Sequence, residues 1–74
     1  MSNQPVYSLD NLSVNIHELR KAKGFSREYF AELTEVSPRM VYDWESGVSN
    51  PSLARLVLIA TVLGCTVDSL LMKH

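Results

Sequence analysis

One cysteine, Cys65, stands among the 74 residues, which excludes an internal disulfide and any zinc site built on several cysteines. Packing alone must hold the fold, and a reducing compartment, the cytoplasm, is the expected setting. A long hydrophobic run is also missing. The longest apolar stretch, near Leu56 to Leu63, is interrupted by Thr61 and is too short to span a bilayer. No basic segment followed by an apolar run opens the chain, so neither export nor membrane insertion is expected. Nor does one sign of charge dominate. Seven Lys and Arg face eight Asp and Glu, a net charge of -1, so bulk charge does not make this a non-specific polyanion binder. Any role with nucleic acid has to rest on local placement. Histidines number two, His17 and His74, too far apart in sequence to form a metal or catalytic pair. No nucleophile with a base and no pair of carboxylates at a cleft stands out; Glu28, Glu32 and Glu35 read as a solvated face. No enzymatic activity, metal or cofactor is expected.

What is present is the balance of a globular domain, with 46% hydrophobic and 20% charged residues. The polar start, residues 1–9, carries Pro5 and no helical or strand period and reads as a flexible N-terminal arm, with Val6 and Tyr7 able to pack on the domain. Residues 10–74 form that domain. Leu12, Ile16 and Leu19 recur at helical spacing. Asp10 or Ser13 can supply the N-cap, Arg20, Lys21 and Lys23 suit the negative end of the helix dipole, and Gly24 closes the first helix. Ser26 then caps a second helix over about Arg27–Leu33, with Phe25 and Phe30 at the positions of a hydrophobic staple. After Thr34, Glu35 and Val36 comes Ser37-Pro38, an N-cap followed by the residue type that loses nothing at the first helical position. The third helix runs to about Ser46 and stops at Gly47. Ser52 or Asn50 caps a fourth, with Leu53, Leu56, Ile59, Ala60 and Leu63 expected inward before Gly64; Thr66 caps a short fifth around Leu70 and Leu71. The class is all-α, with no strand pattern and no repeat.

Two short helices joined by about three residues cross steeply, as in a helix-turn-helix, and Ala31 is small enough for the crossing. Val36, Val41 and Trp44 turn one side of the third helix inward. Trp44 offers an aromatic ring of the kind that stacks on bases, but its phase with Val41 places it in the core. Pro38, Arg39, Tyr42, Asp43 and Ser46 remain outward with Met40 at the rim, a surface able to enter a DNA major groove.

The ordered run Asn15-Ile16, Leu19-Arg20, Lys23-Gly24-Phe25-Ser26, Ala31-Glu32-Leu33-Thr34, Val36-Ser37, Trp44-Glu45-Ser46-Gly47, Asn50-Pro51-Ser52, Leu63-Gly64 and Leu70-Leu71 resembles the Cro/C1-type (XRE) helix-turn-helix DNA-binding proteins. The resemblance covers about residues 12 to 72 and rests on order and spacing together, since no single piece is specific. It implies a five-helix domain of the lambda-repressor-like type, with the helix-turn-helix formed by the second and third helices, that binds double-stranded operator DNA, usually as a homodimer. Carried onto this chain, Arg27 contacts a backbone phosphate or braces the third helix. Ser37, Pro38, Arg39, Met40 and Asp43 match the base-facing surface, and Arg20 with Glu45 match a structural pair clamping the first helix to the end of the third. Arg39 is the expected guanine reader; Asp43 can accept from a cytosine amino group, and Met40 or Pro38 can meet a thymine methyl. Tyr42, Ser46, Ser49 and Asn50 are expected phosphate contacts, helped by helix N-termini. Two departures matter. The loop after the third helix lacks the lysines common in the family, which implies a shallower salt dependence, since each neutralised phosphate adds about 0.9 to the slope. Glu35 stands where family members often carry glycine, and a left-handed non-glycine residue costs about 1–2 kcal/mol.

The fourth helix is more apolar than one buried face needs. A homodimer interface using Val57, Leu58, Thr61, Leu71 and Met72 is the expectation. The function expected is a transcriptional regulator, a repressor by preference, acting by occupying an operator. The alternative is a protein-interaction module, an antitoxin or adaptor that uses the same fold to bind a protein partner.

Overall fold

Each helix starts behind a serine or threonine whose side-chain oxygen accepts a backbone N–H. The computed structural model describes residues 8–73, and the five helices among them are α1 (Leu9–Ala22), α2 (Arg27–Thr34), α3 (Pro38–Ser46), α4 (Leu53–Leu63) and α5 (Val67–Leu71). Their N-caps are Ser8, Ser26, Ser37, Ser52 and Thr66, which accept from Asp10, Tyr29, Met40, Arg55 and Ser69 respectively. Such a cap contributes about 1 kcal/mol. The first helix therefore begins ahead of both expected caps. Asp10 and Ser13 lie inside α1, and Ser13 donates back to the Asp10 carbonyl. Ser8 prevails because it also ties the helix start to the far end of the chain, its N–H donating to the Leu71 carbonyl at 2.9 Å. Of the expected arm, Ser8 and Leu9 thus belong to the first helix, while Val6 and Tyr7 lie outside the described residues, as does His74.

The core draws on every helix: Leu12 and Ile16, Phe30 and Ala31, Val41 and Trp44, Leu56, Ile59, Ala60 and Leu63, and Leu70. Ala31 is buried between its neighbours, and Trp44 is core rather than a surface platform. Buried polar groups are matched. The Thr34 hydroxyl donates to the Phe30 carbonyl at 2.8 Å. Asn15 donates to the carbonyls of Leu70 and Met72, closing the end of α5 against α1. Among the described residues no buried side-chain nitrogen or oxygen lacks a partner, the condition under which burial of polar groups carries no large penalty. Cys65 is half-buried against this core; burial pushes its thiol up, with the charge of Lys23 opposing in part.

One core expectation is overturned. Leu53 is 74% exposed. Helical side chains lean toward the N-terminus, so the first residue of α4 overhangs the core that Leu56, one turn later, helps to close.

The turn between α2 and α3 is Glu35-Val36-Ser37. Glu35 is left-handed, with φ 62° and ψ 41°, and its N–H and that of Val36 close the end of α2 on the carbonyls of Glu32 and Ala31. This is the glycine-type helix ending made with a glutamate. Glu35 is the only non-glycine residue with positive φ among those described.

Candidate nucleic-acid interface

Ser37 and Pro38 start α3 so that Val41 and Trp44 face inward, and the remaining positions are left to solvent by the helical period. Ser37, Pro38, Arg39, Met40, Tyr42 and Ser46 are exposed, and Asp43 is half-buried. Past the Gly47 cap, which is left-handed, Ser49 is half-buried and Asn50 exposed beside them. The ten residues singled out for DNA thus share α3 and its flanks, save Arg27 at the start of α2. Arg20 and Glu45 lie behind this face, where Arg27 reaches Glu45.

Those side chains engage one another. Arg39 Nε donates to Asp43 Oδ1 at 3.1 Å, one helical turn apart, so the expected guanine reader and the expected cytosine reader form a pair. Two guanidinium groups approach the Tyr42 ring, those of Arg27 at 5.6 Å and Arg39 at 5.7 Å from the ring centroid, in cation–π range. Ser46 donates to the Asp43 carbonyl, and Ser49 reaches the Met40 sulfur at 3.7 Å. Arg55 of α4 and Glu35 make a loose surface pair at 3.9 Å.

Behind this face lies a buried carboxylate. Glu45 near the end of α3, its side chain 4% exposed, accepts from Arg20 Nε, from Arg20 Nη2 at 3.2 Å, from His17 Nδ1 at 3.0 Å and from Arg27 Nε at 3.1 Å. Arg20 also donates through Nη1 to the Phe25 carbonyl at 2.7 Å. One guanidinium therefore joins α1, the link to α2 and the end of α3, which fixes the angle at which α3 projects. Burial works against the charge on Glu45. Hydrogen bonds from Arg20 and His17, the Arg20 charge and the Arg27 bond outweigh it and hold the carboxyl below its ordinary range. His17 was not among the residues singled out from the sequence. Its signal was position: it precedes Arg20 by three residues and so shares that face of α1. His17, Arg27, Tyr42, Glu45 and Ser46 line a shallow recess. No cluster of metal-binding type occurs among the described residues, and no helix there is long and apolar enough to cross a membrane.

Residues 16–70 match the model of a family described as helix-turn-helix. The chain belongs to the Cro/C1-type (XRE) helix-turn-helix family. Within this family it is 38% identical over 64 residues to the transcriptional regulator AnsR of Bacillus subtilis, covering 86% of this chain and 52% of that one. Among solved structures, the restriction-modification controller protein C.AhdI of Aeromonas hydrophila is similar at 34% identity and a TM-score of 0.77, over 84% of this chain and 94% of that one. SinR, a master regulator for biofilm formation solved in complex with DNA, is similar at 31% identity and a TM-score of 0.75, over 81% and 97% of the two chains. The chain spans about half the length of the curated relatives it matches. Its fold is the five-helix, lambda-repressor-like helix-turn-helix DNA-binding fold.

Proposed function

We propose that this chain is a sequence-specific DNA-binding transcriptional regulator that represses by occupying an operator as a homodimer, with α3 in the major groove. The observation that carries the reading is the outward face of α3. Arg39 stands there with its side chain 79% exposed, in a family whose member SinR was solved on DNA. A bidentate contact from Arg39 to guanine contributes about 1–3 kcal/mol of discrimination. The pairing with Asp43 gives that contact a shape, because an aspartate holding Nε leaves the far edge of the guanidinium for the base. Asp43 keeps acceptor capacity for a neighbouring cytosine, Pro38 and Met40 meet thymine methyls, and Ser37 stands at the groove edge. Arg27, Tyr42, Ser46, Ser49 and Asn50 take the phosphates on either side. An operator binder of this kind works beside the chromosome, in the cytoplasm.

The dimer reading is supported by an apolar stripe on α4. Leu53 is 74% and Val57 52% exposed, and Thr61, exposed one turn further, directs its hydroxyl to the Val57 carbonyl at 2.9 Å. Leu58, Leu71 and Met72 are half-buried. A twofold contact through Val57, Leu58, Thr61, Leu71 and Met72 sets two copies of α3 one helical turn of DNA apart, about 34 Å. The same stripe supports the second reading, a module of antitoxin or adaptor type that binds a protein partner.

The two readings separate in one comparison. On a duplex that the protein enriches from a random pool, Arg39→Ala weakens binding by about 1–3 kcal/mol per half-site and relaxes the preference at one base pair in each half, with the oligomeric state unchanged. Enrichment of no sequence, with retention of a protein ligand lost in Val57→Glu, contradicts the operator reading in favour of the partner module.

A further inference from the structure

The groups around Glu45 do not balance in charge. Its single negative charge is matched by Arg20, which reaches both carboxylate oxygens. Arg27 is then a surplus cation, its side chain 43% exposed at the recess. A carboxylate only accepts hydrogen bonds, so at the 3.0 Å contact with Glu45 the proton of His17 sits on Nδ1. In a neutral ring the other nitrogen, Nε2, carries a lone pair, and His17 lines the same recess as Arg27, Tyr42 and Ser46 with about a third of its side chain exposed. A lone pair at that position repels a phosphate oxygen. A proton there turns Nε2 into a donor and adds a second positive charge.

We propose that this recess seats one backbone phosphate of bound DNA between Arg27 and His17, and that the phosphate is taken up together with a proton, which solvent supplies to His17 Nε2. The inference rests on the DNA-binding reading and deepens it: recognition becomes linked to pH through one histidine of α1. The groups facing His17 are Glu45 and Tyr42 from α3 and Arg27 from α2, with Arg20 and Lys21 one turn along its own helix. The arriving phosphate supplies the negative charge that the second proton requires. Phosphate contacts carry no sequence information, so the linkage belongs to binding of any duplex and not to operator choice alone.

The test compares the wild type, His17→Gln and His17→Lys by fluorescence anisotropy, at fixed salt and between about pH 6 and about pH 8, where histidine side chains exchange protons. The probes are the duplex enriched by the wild type and an unrelated duplex of the same length. Glutamine keeps an N–H for Glu45 but takes no proton; lysine carries its charge throughout. Wild-type Kd is expected to rise about tenfold across the interval, with Gln flat at the weak end and Lys flat at the tight end. Thermal melts of the three proteins establish that the fold is kept. His74 is present in all of them and drops out of the comparison. A pH profile that the wild type and His17→Gln share, with DNA binding intact, overturns the phosphate seat alone. Failure of the wild type to bind either duplex at any pH overturns the DNA-binding reading with it.

Discussion

Glu35 and Glu45 bracket the two ends of α3 and stand in opposite energetic positions. Glu35 holds the left-handed conformation that the turn into α3 requires, at a cost of about 1–2 kcal/mol for a residue with a Cβ. Glycine removes that cost but brings back about 0.5–1 kcal/mol of backbone freedom in the unfolded chain. Glu35→Gly is therefore expected to raise stability by about 1 kcal/mol in urea denaturation; a loss would mean that the Arg55 pair or the glutamate stem supports the turn. Glu45 is held ionised below its ordinary range by Arg20, His17 and Arg27 despite its burial. A lowered folded-state value means that its contribution is full above the unfolded value, about pH 4.3, and is lost as the pH falls through the folded one. Melting temperatures should fall in that acidic window. Glu45→Gln should remove this part of the fall and should cost roughly 3–5 kcal/mol at neutral pH, because Arg20 is left buried without its counter-charge.

At the scale of elements, the local signals in the chain were strong enough to place all five helices. Serine or threonine caps, Pro38 at the first position of α3 and glycines behind α1, α3 and α4 agree with the apolar spacing, and such agreement between levels is what specifies a fold. Legibility failed where a side chain's fate depends on a distant partner. Ser8 outranks Asp10 and Ser13 as the first cap because Leu71, far along the chain, accepts its N–H. Leu53 fits the inward phase of α4 yet overhangs the core. His17 acquires a role only because α3 delivers Glu45 to it. The outward residues of α3 were legible as a surface, since period and capping fix which side of the helix is outward. The Arg39–Asp43 pair and the Arg39–Tyr42 contact were not assigned from the sequence, although their spacings of four and three residues permit both. For α4, the exposed Leu53 and Val57 predict that Val57→Glu shifts a concentration-dependent dimer to monomer in sedimentation while leaving the melting temperature nearly unchanged, as expected of an exposed position. Sedimentation as a monomer by the wild type at tens of micromolar, with and without DNA, contradicts that account.

The whole molecule carries a net charge of -1, so the DNA affinity proposed for it has to come from geometry more than from bulk attraction. A buried ion-pair hub sets the projection of α3, a left-handed glutamate sets its entry, and an apolar stripe on α4 can set the spacing between two copies. These features converge on one claim, that two α3 faces read two half-sites on the same side of a duplex. The most direct test is selection of bound sequences from a random duplex library by the intact chain. The account predicts an enriched palindrome with half-site centres about 10 base pairs apart and a guanine in each half that loses its preference in Arg39→Ala. Enrichment of a single unrepeated site, or of no site at all, would contradict it.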